Sequence, residues 1–145
     1  MRNINIDLQY GKKYEKQVKP ILDEVFGELT QDENQFANFD FFNDKYHVEH
    51  KQRNINGQLV DLYFDRVKYD KYIELKKKGK RCFIVWSCKD HRYVWEFCDQ
   101  FDETETAQFY FKTQRNFDRG KGYLQDTDMV NVFCENIHLL KDFQV

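Results

Sequence analysis

The chain has 145 residues, of which 33% are charged and 17% aromatic, and a formal net charge of −2. This length suits one folded unit, so we expect residues 1–145 to form a single domain. The aromatic content, spread along the whole chain, argues against disorder. No apolar run approaches the roughly 20 residues that span a bilayer, and the first residues lack the apolar segment of a secretion signal. We therefore expect an intracellular protein, in the cytoplasm or nucleus of a host, with no membrane partner and with reduced cysteines.

The first predicted element is an amphipathic helix. Its apolar residues recur at helical spacing, and they are Tyr14, Val18, Ile21, Leu22, Val25 and Phe26. Gly27 is a suitable end for this helix. Pro20 removes one backbone hydrogen bond and is expected to kink it.

A β-hairpin is predicted next, over Asn38 to Gln52. Two aromatic and β-branched runs flank Asn43-Asp44, which is typical of a two-residue turn. With that turn Asp40 lies opposite His47, and it shares one face of the ribbon with Glu49 and Lys51 because strand residues alternate sides. The other face is then an apolar core side, formed by Phe39, Phe41, Tyr46 and Val48.

The remaining pattern alternates between strand and helix. Leu59 to Phe64 is either a third short strand or the start of the next helix, which is predicted over 65–78 and ends at Gly79. Strands are predicted over 82–86, 93–97, 109–113 and 129–133, with a glycine-containing loop over 118–122. The order predicts an α/β (α+β) fold, a central mixed β-sheet flanked by helices with extra C-terminal strands.

Basic residues are concentrated in two segments. Between Arg66 and Arg81 there are eight basic and two acidic residues, a local charge of +6, and between Lys112 and Tyr123 four against one, a local +3. Such a distribution favours a basic face for phosphates, although solvated surfaces give the same pattern. The candidate nucleic-acid-binding residues are Lys68, Lys71, Arg115, Arg119 and Lys121.

The charged face of the hairpin indicates a metal site. Mg²⁺ prefers oxygen ligands and retains waters, so Asp40 and Glu49 are the candidate metal ligands, with Lys51 facing the water or phosphate. An ordinary cross-strand ion pair would use the same residues. Glu74 and Lys76 repeat the spacing, but they lie in a predicted helix, where residues two apart do not face each other. Asp44 is a competing acid at the turn tip.

The order of these elements and motifs resembles the PD-(D/E)XK nuclease superfamily over about residues 10–98. The features concerned are a first helix with a glutamate, then Asp40, then Glu49-His50-Lys51 on adjacent strands, then a helix and an apolar strand. The resemblance implies a restriction-endonuclease-like αβββαβ core. Phe39 stands where many members have the proline.

The resemblance also implies roles for residues at matching positions. Asp40 matches the motif aspartate, and Glu49 and Lys51 match the E-x-K pair. Glu15 matches the first-helix glutamate that many members direct at the metal, and Gln52 follows the motif lysine. Lys68 or Lys71 matches the basic residue that some members add from the second helix.

The expected function is therefore that of a Mg²⁺- or Mn²⁺-dependent deoxyribonuclease, an endonuclease before an exonuclease, with RNA as a further possible substrate. The small size leaves two alternatives, a homodimer or a nuclease that reads DNA structure instead of sequence. Two other classes fit the same residues, a non-catalytic nucleic-acid-binding module and an inactive nuclease-fold domain that binds proteins. The Lys-, Asn-, Phe- and Tyr-rich composition is compatible with an AT-rich viral or phage genome.

Overall fold

Two helices and nine strands form the described part of the chain. The computed structural model describes residues 4–35, 38–101, 106–118 and 120–145, with the side chains of all these except 4–13 and 116–118. The helices are α1 (Ile4–Phe26) and α2 (Arg66–Lys76). The strands are β1 (Thr30–Gln31), β2 (Phe41–Phe42), β3 (Tyr46–Gln52), β4 (Leu62–Asp65), β5 (Arg81–Ser87), β6 (Arg92–Glu96), β7 (Phe109–Asp118), β8 (Tyr123–Val132) and β9 (His138–Leu139). Short 3₁₀ helices cover Cys134–Asn136 and Leu140–Asp142.

The larger sheet has six strands in the order β1-β2-β3-β5-β6-β9. Its neighbours are antiparallel except β3 and β5, which run parallel, with Glu49 beside Ile84 and Lys51 beside Trp86. A parallel pair needs a crossover connection, and β4 and α2 lie within the segment that joins these two strands. The mixed α/β class is therefore confirmed.

The smaller sheet has three antiparallel strands in the order β4-β8-β7. Strands β7 and β8 form a hairpin with ten residues in each strand. Strand β4 pairs only with the last four residues of β8, where Leu62 lies beside Val132. The sequence predicted extra C-terminal strands, but it did not predict that β4 would leave the main sheet to join them.

Helix α1 ends where the sequence predicts. Gly27 adopts a left-handed φ of 84°, and its N–H donates to the Asp23 carbonyl at 3.0 Å. Val18, Leu22 and Phe26 are buried at the predicted spacing. The helix begins at Ile4, ten residues before the predicted apolar stripe, and Pro20 lies inside it.

The core consists of two apolar clusters on opposite faces of the larger sheet. Cys82, Ile84 and Trp86 of β5 belong to the cluster that includes Tyr69 and Tyr72 of α2. The alternate residues of β5 belong to the cluster beneath α1, and they are Phe83 and Val85. Strand β5 is thus covered on both faces, as its continuous apolar run predicts.

The predicted hairpin register is wrong by two residues. Phe42, not Asp40, lies opposite His47, and Phe41 lies opposite Val48. The reason is the Asn43 side chain, whose Oδ1 accepts hydrogen bonds from the N–H groups of Lys45 and Tyr46 at 3.0 and 2.8 Å. This side-chain turn extends the loop to residues 43–45. Because the shift is even, it leaves the faces of β3 unchanged.

The predicted face of Phe39 is also wrong. Phe41 and Val48 pack in the cluster beneath α1, whereas Phe39 packs in the cluster on the α2 side. The chain bends at Asp40, before β2 begins, so strand alternation does not extend back to Phe39.

The described helices are not suited to crossing a bilayer. None of them combines the length and apolar character that a membrane span requires. The four cysteines are free thiols, of which Cys82 is buried and Cys88, Cys98 and Cys134 are half-buried.

Candidate functional site

Two buried acids lie close together beside the middle of strand β3, just before strand β2 begins. Asp40 lies at the bend before β2 and Glu49 in the middle of β3, and they are 5% and 2% exposed. The Asp40 N–H donates to Glu49 Oε1 at 3.2 Å, and Asp40 Oδ2 accepts from the His50 N–H at 2.9 Å. The sequence predicted that these two acids share one side of the ribbon, and the structure brings them into contact.

The electrostatics of this pair favour a bound cation or proton. Burial, followed by the negative charge of Glu49, raises the pKa of Asp40 to about 8. The His50 N–H and the Lys51 ammonium oppose that change, but they do not offset it. Two carboxylates in a dry site cannot both ionise without a compensating positive charge.

Two lysines flank Glu49 from different elements. Lys51 Nζ lies 3.5 Å from Glu49 Oε2, and Lys68 Nζ lies 3.6 Å from Glu49 Oε1. The Lys51 side chain is 26% exposed and lies on the face that β3 turns towards α2. Its ammonium is therefore the one of the two that a ligand can reach from solvent.

Lys68 is buried and ties helix α2 to the segment before β2. Its ammonium donates to the carbonyl of Gln35 at 2.5 Å and to the carbonyl of Asn38. The sequence left Lys68 and Lys71 as alternatives for a second-helix basic residue. The structure brings Lys68 to Glu49, whereas Lys71 pairs with Glu74 at 3.4 Å on the helix surface.

Glu15 lies close to the same segment but is held by glutamines. Its Oε2 accepts from Gln31 Nε2 at 2.6 Å and from Gln35 Nε2 at 3.1 Å. Gln35 thus links Glu15 to Lys68, because its side chain donates to Glu15 and its carbonyl accepts a hydrogen bond from the Lys68 ammonium. The two glutamines have no distinguishing sequence pattern, and sequence reasoning missed them.

Gln52 points away from the carboxylates. It lines a cavity of about 1090 Å³ on the α1 side of the sheet, together with Ser87 and Arg92. Next to this cavity Arg92 Nε donates to Ser87 Oγ at 3.2 Å, and His50 Nε2 lies 2.7 Å from the same oxygen. Burial lowers the pKa of His50 to about 4, so a neutral ring lies beside the Ser87 hydroxyl. In the sequence, Ser87 could have been recognised as the polar residue that directly follows the apolar run 82–86.

Two of the candidate nucleic-acid-binding residues, Arg115 and Lys121, lie on the distal half of the β7–β8 hairpin. Arg115 lies opposite Asp126 and its Nε is 3.6 Å from that carboxylate, and Lys121 donates to Gln125 at 3.2 Å. Six residues of strand separate Arg115 from Phe109, about 20 Å along the ribbon. Arg119 lies outside the described residues.

The described donor set fits a hard divalent cation only in part. Asp40 and Glu49 offer carboxylate oxygens, and a magnesium ion is commonly bound by one or two carboxylates while it keeps several waters. Within the described ranges no three or more His, Cys, Asp or Glu side chains cluster as metal ligands, so Glu15 does not join the pair here.

Comparison of the chain with protein-family models, with curated proteins and with solved structures found no match.

Proposed function

We propose that this chain is a metal-dependent nuclease that hydrolyses DNA phosphodiester bonds. The observation that carries the proposal is that two buried acids, Asp40 and Glu49, are joined by the hydrogen bond from the Asp40 N–H to the Glu49 carboxylate, beside the partly exposed ammonium of Lys51. The raised pKa of Asp40 supports it, because the lysines beside Glu49 do not offset the burial of Asp40 next to a second acid, and a bound metal ion would do so.

The order of the elements supports the resemblance to the PD-(D/E)XK superfamily in part. A first helix is followed by the hairpin with Asp40, Glu49 and Lys51, then by a second helix and the apolar strand β5. Strand β4, however, pairs with β8 in the smaller sheet. We therefore propose a restriction-endonuclease-like core in which β4 is displaced from the main sheet.

The residues divide the work by charge and exposure. Asp40 and Glu49 would hold a Mg²⁺ or Mn²⁺ ion, which supplies positive charge and a water of lowered pKa when bound. The partly exposed Lys51 is free to turn to a phosphate oxygen and balance the charge that develops there. Lys68 keeps Glu49 in place, and its ammonium also donates to the carbonyls of Gln35 and Asn38.

The test is cleavage of supercoiled plasmid and of end-labelled DNA and RNA strands in Mg²⁺ or Mn²⁺. Wild-type protein should cut DNA, and Lys51→Ala should lower the rate by about 10²-fold or more, the loss typical when a charge-stabilising group is removed. The chain offers a matched control in Lys76, which repeats the Glu-x-Lys spacing on the surface of α2 and pairs with Asp99. Lys76→Ala should cut at the wild-type rate.

The same assay separates the rival functions. DNA binding at low salt without cutting in either metal would favour a non-catalytic binding module. No DNA affinity at low salt, where electrostatic binding is strongest, would favour a protein-interaction domain. Either result would overturn the nuclease proposal.

A further inference from the structure

The loop that follows strand β3 presents an apolar side chain to solvent. This β3–β4 loop, residues 53–61, begins two residues after Lys51. It contains Leu59, which is 84% exposed, between the exposed residues Ile55 and Val60. Leu59 also has a left-handed φ of 61°, a conformation that side chains with a Cβ rarely adopt. Exposure and backbone strain both disfavour a leucine at this position, so folding alone does not explain it.

The base of the loop is fixed on the β5–β6 turn. The Arg53 N–H donates to the Ser87 carbonyl and the Lys89 N–H to the Ile55 carbonyl, each at 2.9 Å. The Gly57 N–H donates to Asp90 Oδ1 at 3.0 Å. Gly57 also lies against the Tyr93 ring, where a Cβ would come within 2.4 Å of a ring carbon.

The other end of the loop is fixed on the smaller sheet. Asp61 accepts hydrogen bonds from the Cys134 N–H at 2.9 Å and from the Tyr110 hydroxyl at 3.1 Å. With both ends anchored, the segment that carries Leu59 is held in a defined position before any ligand arrives. Such pre-organisation is what a side chain needs in order to insert into a partner at low entropic cost.

The charges around the loop suit a polyanion. Lys51 precedes it, Arg53 begins it with its guanidinium 5.0 Å from the Tyr63 ring, and the exposed Lys89 is bonded to its backbone. The two nearby acids, Asp61 and Asp90, each accept two hydrogen bonds from protein groups. Three basic residues therefore lie in the loop or in the segments next to it, a charge distribution that suits a polyanion.

We propose that Leu59 is a wedge that inserts between adjacent bases of duplex DNA bound at the candidate active site. The inference rests on the proposed nuclease function, and it names the substrate class as duplex DNA that the protein unstacks. Eight residues separate Leu59 from Lys51, so their Cα atoms lie within about 28 Å, the length of about eight base pairs. Apolar side chains, leucine among them, are used as wedges by proteins that kink duplex DNA.

The experiment measures unstacking without cleavage. Protein carrying Lys51→Ala is bound to an end-labelled duplex in Mg²⁺, and unstacked thymines are mapped by their reactivity with permanganate. Bound protein should raise the reactivity of one or two thymines several-fold over free duplex. Adding Leu59→Gly should return that reactivity to the level of free duplex.

Two comparisons separate a wedge from a structural role. Leu59→Gly relaxes the left-handed backbone and should raise Tm, so a loss of unstacking cannot come from misfolding. Leu124→Ala removes another exposed leucine, 56% exposed on the β7–β8 hairpin, and should leave the permanganate pattern unchanged. Equal thymine reactivity with and without the Leu59 side chain would overturn the wedge.

The two proposals fail in different ways. Plasmid cleavage by wild-type protein without Leu59-dependent unstacking leaves the nuclease and removes the wedge. Leu59-dependent unstacking without hydrolysis in either metal leaves the wedge and removes the nuclease. A change of sedimentation with Leu59→Gly, with no unstacking, would assign the loop to self-association and overturn the inference.

Discussion

The pair formed by Asp40 and Glu49 is unfavourable for folding in the absence of a metal ion, although two lysines lie beside Glu49. Folding must either bury two negative charges together or place a proton on Asp40, whose pKa is raised to about 8. Natural proteins keep such destabilising groups mainly where function requires them. The pair should therefore lower the free energy of unfolding of the metal-free protein while it provides the ligands for a metal ion.

Replacing Asp40 with asparagine should stabilise the metal-free protein. Asparagine keeps an oxygen to accept the His50 N–H and needs no proton on folding, whereas an acid whose pKa is raised to about 8 must take one up at pH 7. We therefore expect the free energy of unfolding at pH 7 to rise by about 1–3 kcal/mol. Mn²⁺ should raise the unfolding midpoint of the wild type and leave that of Asp40→Asn unchanged, because only the wild type binds the ion. Urea unfolding with and without Mn²⁺ measures both effects.

Asp44→Asn is the matched control for this prediction. Asp44 is an exposed acid four residues away in the hairpin loop, and its replacement should change neither stability nor the response to Mn²⁺. A metal-free Asp40→Asn protein less stable than the wild type, or one equally stabilised by Mn²⁺, would contradict the assignment of Asp40.

At the scale of elements, the sequence predicted those parts whose pattern is local. Strand β5 and helix α2 are recognisable because an apolar run or a helical stripe lies within each segment. The register of the hairpin was not predictable in this way, since one side chain, Asn43, sets it through two hydrogen bonds. The carboxylate pair was still predictable, because an even shift keeps both acids on the same side.

The position of Lys68 in the helical pattern of α2 indicates that its side chain faces the site. It precedes Tyr72 by four residues and Leu75 by seven, so it lies on the apolar stripe of α2, whereas Lys71 does not. A lysine on such a stripe must find oxygen partners, and it finds them in Glu49 and two carbonyls. This signal could have separated Lys68 from Lys71 before the structure was known.

The β3–β4 loop allows a sharp test at the element scale. Gly57→Ala would place a methyl group 2.4 Å from the Tyr93 ring, and the ring cannot move freely because its hydroxyl donates to Asp90. We expect a loss of about 1–3 kcal/mol in the free energy of unfolding, as for an overpacked core site. Asn56→Ala, at the exposed neighbouring position, should change it by less than about 0.5 kcal/mol. Equal thermal stability of the two variants would contradict the close packing described for Gly57.

At the scale of the whole molecule, the two sheets share one core. Val130 and Val132 of β8 pack in the same cluster as Trp86 of β5 and Trp95 of β6. The pairing of β4 with β8 joins residues more than 60 positions apart, and no local pattern in either segment specifies that partner. This is why the smaller sheet was not predicted, although both of its longer strands were predicted in part.

Phe64 connects the two sheets and tests whether they unfold together. It belongs to β4 and its ring lies 6.0 Å from that of Trp95 and 4.9 Å from that of Phe97. Phe64→Ala should lower the free energy of unfolding by about 3–5 kcal/mol, because it leaves a cavity between the sheets. Tryptophan fluorescence reports the larger sheet through Trp86 and Trp95, and far-UV circular dichroism reports all the strands. With a shared core both signals should change in one coincident transition in urea, shifted equally by the variant.

The control is Leu124→Ala, far along the β7–β8 hairpin, which should leave the urea transition in place. If the circular dichroism of Phe64→Ala changed at lower urea than its fluorescence, the smaller sheet would be a separate folding unit.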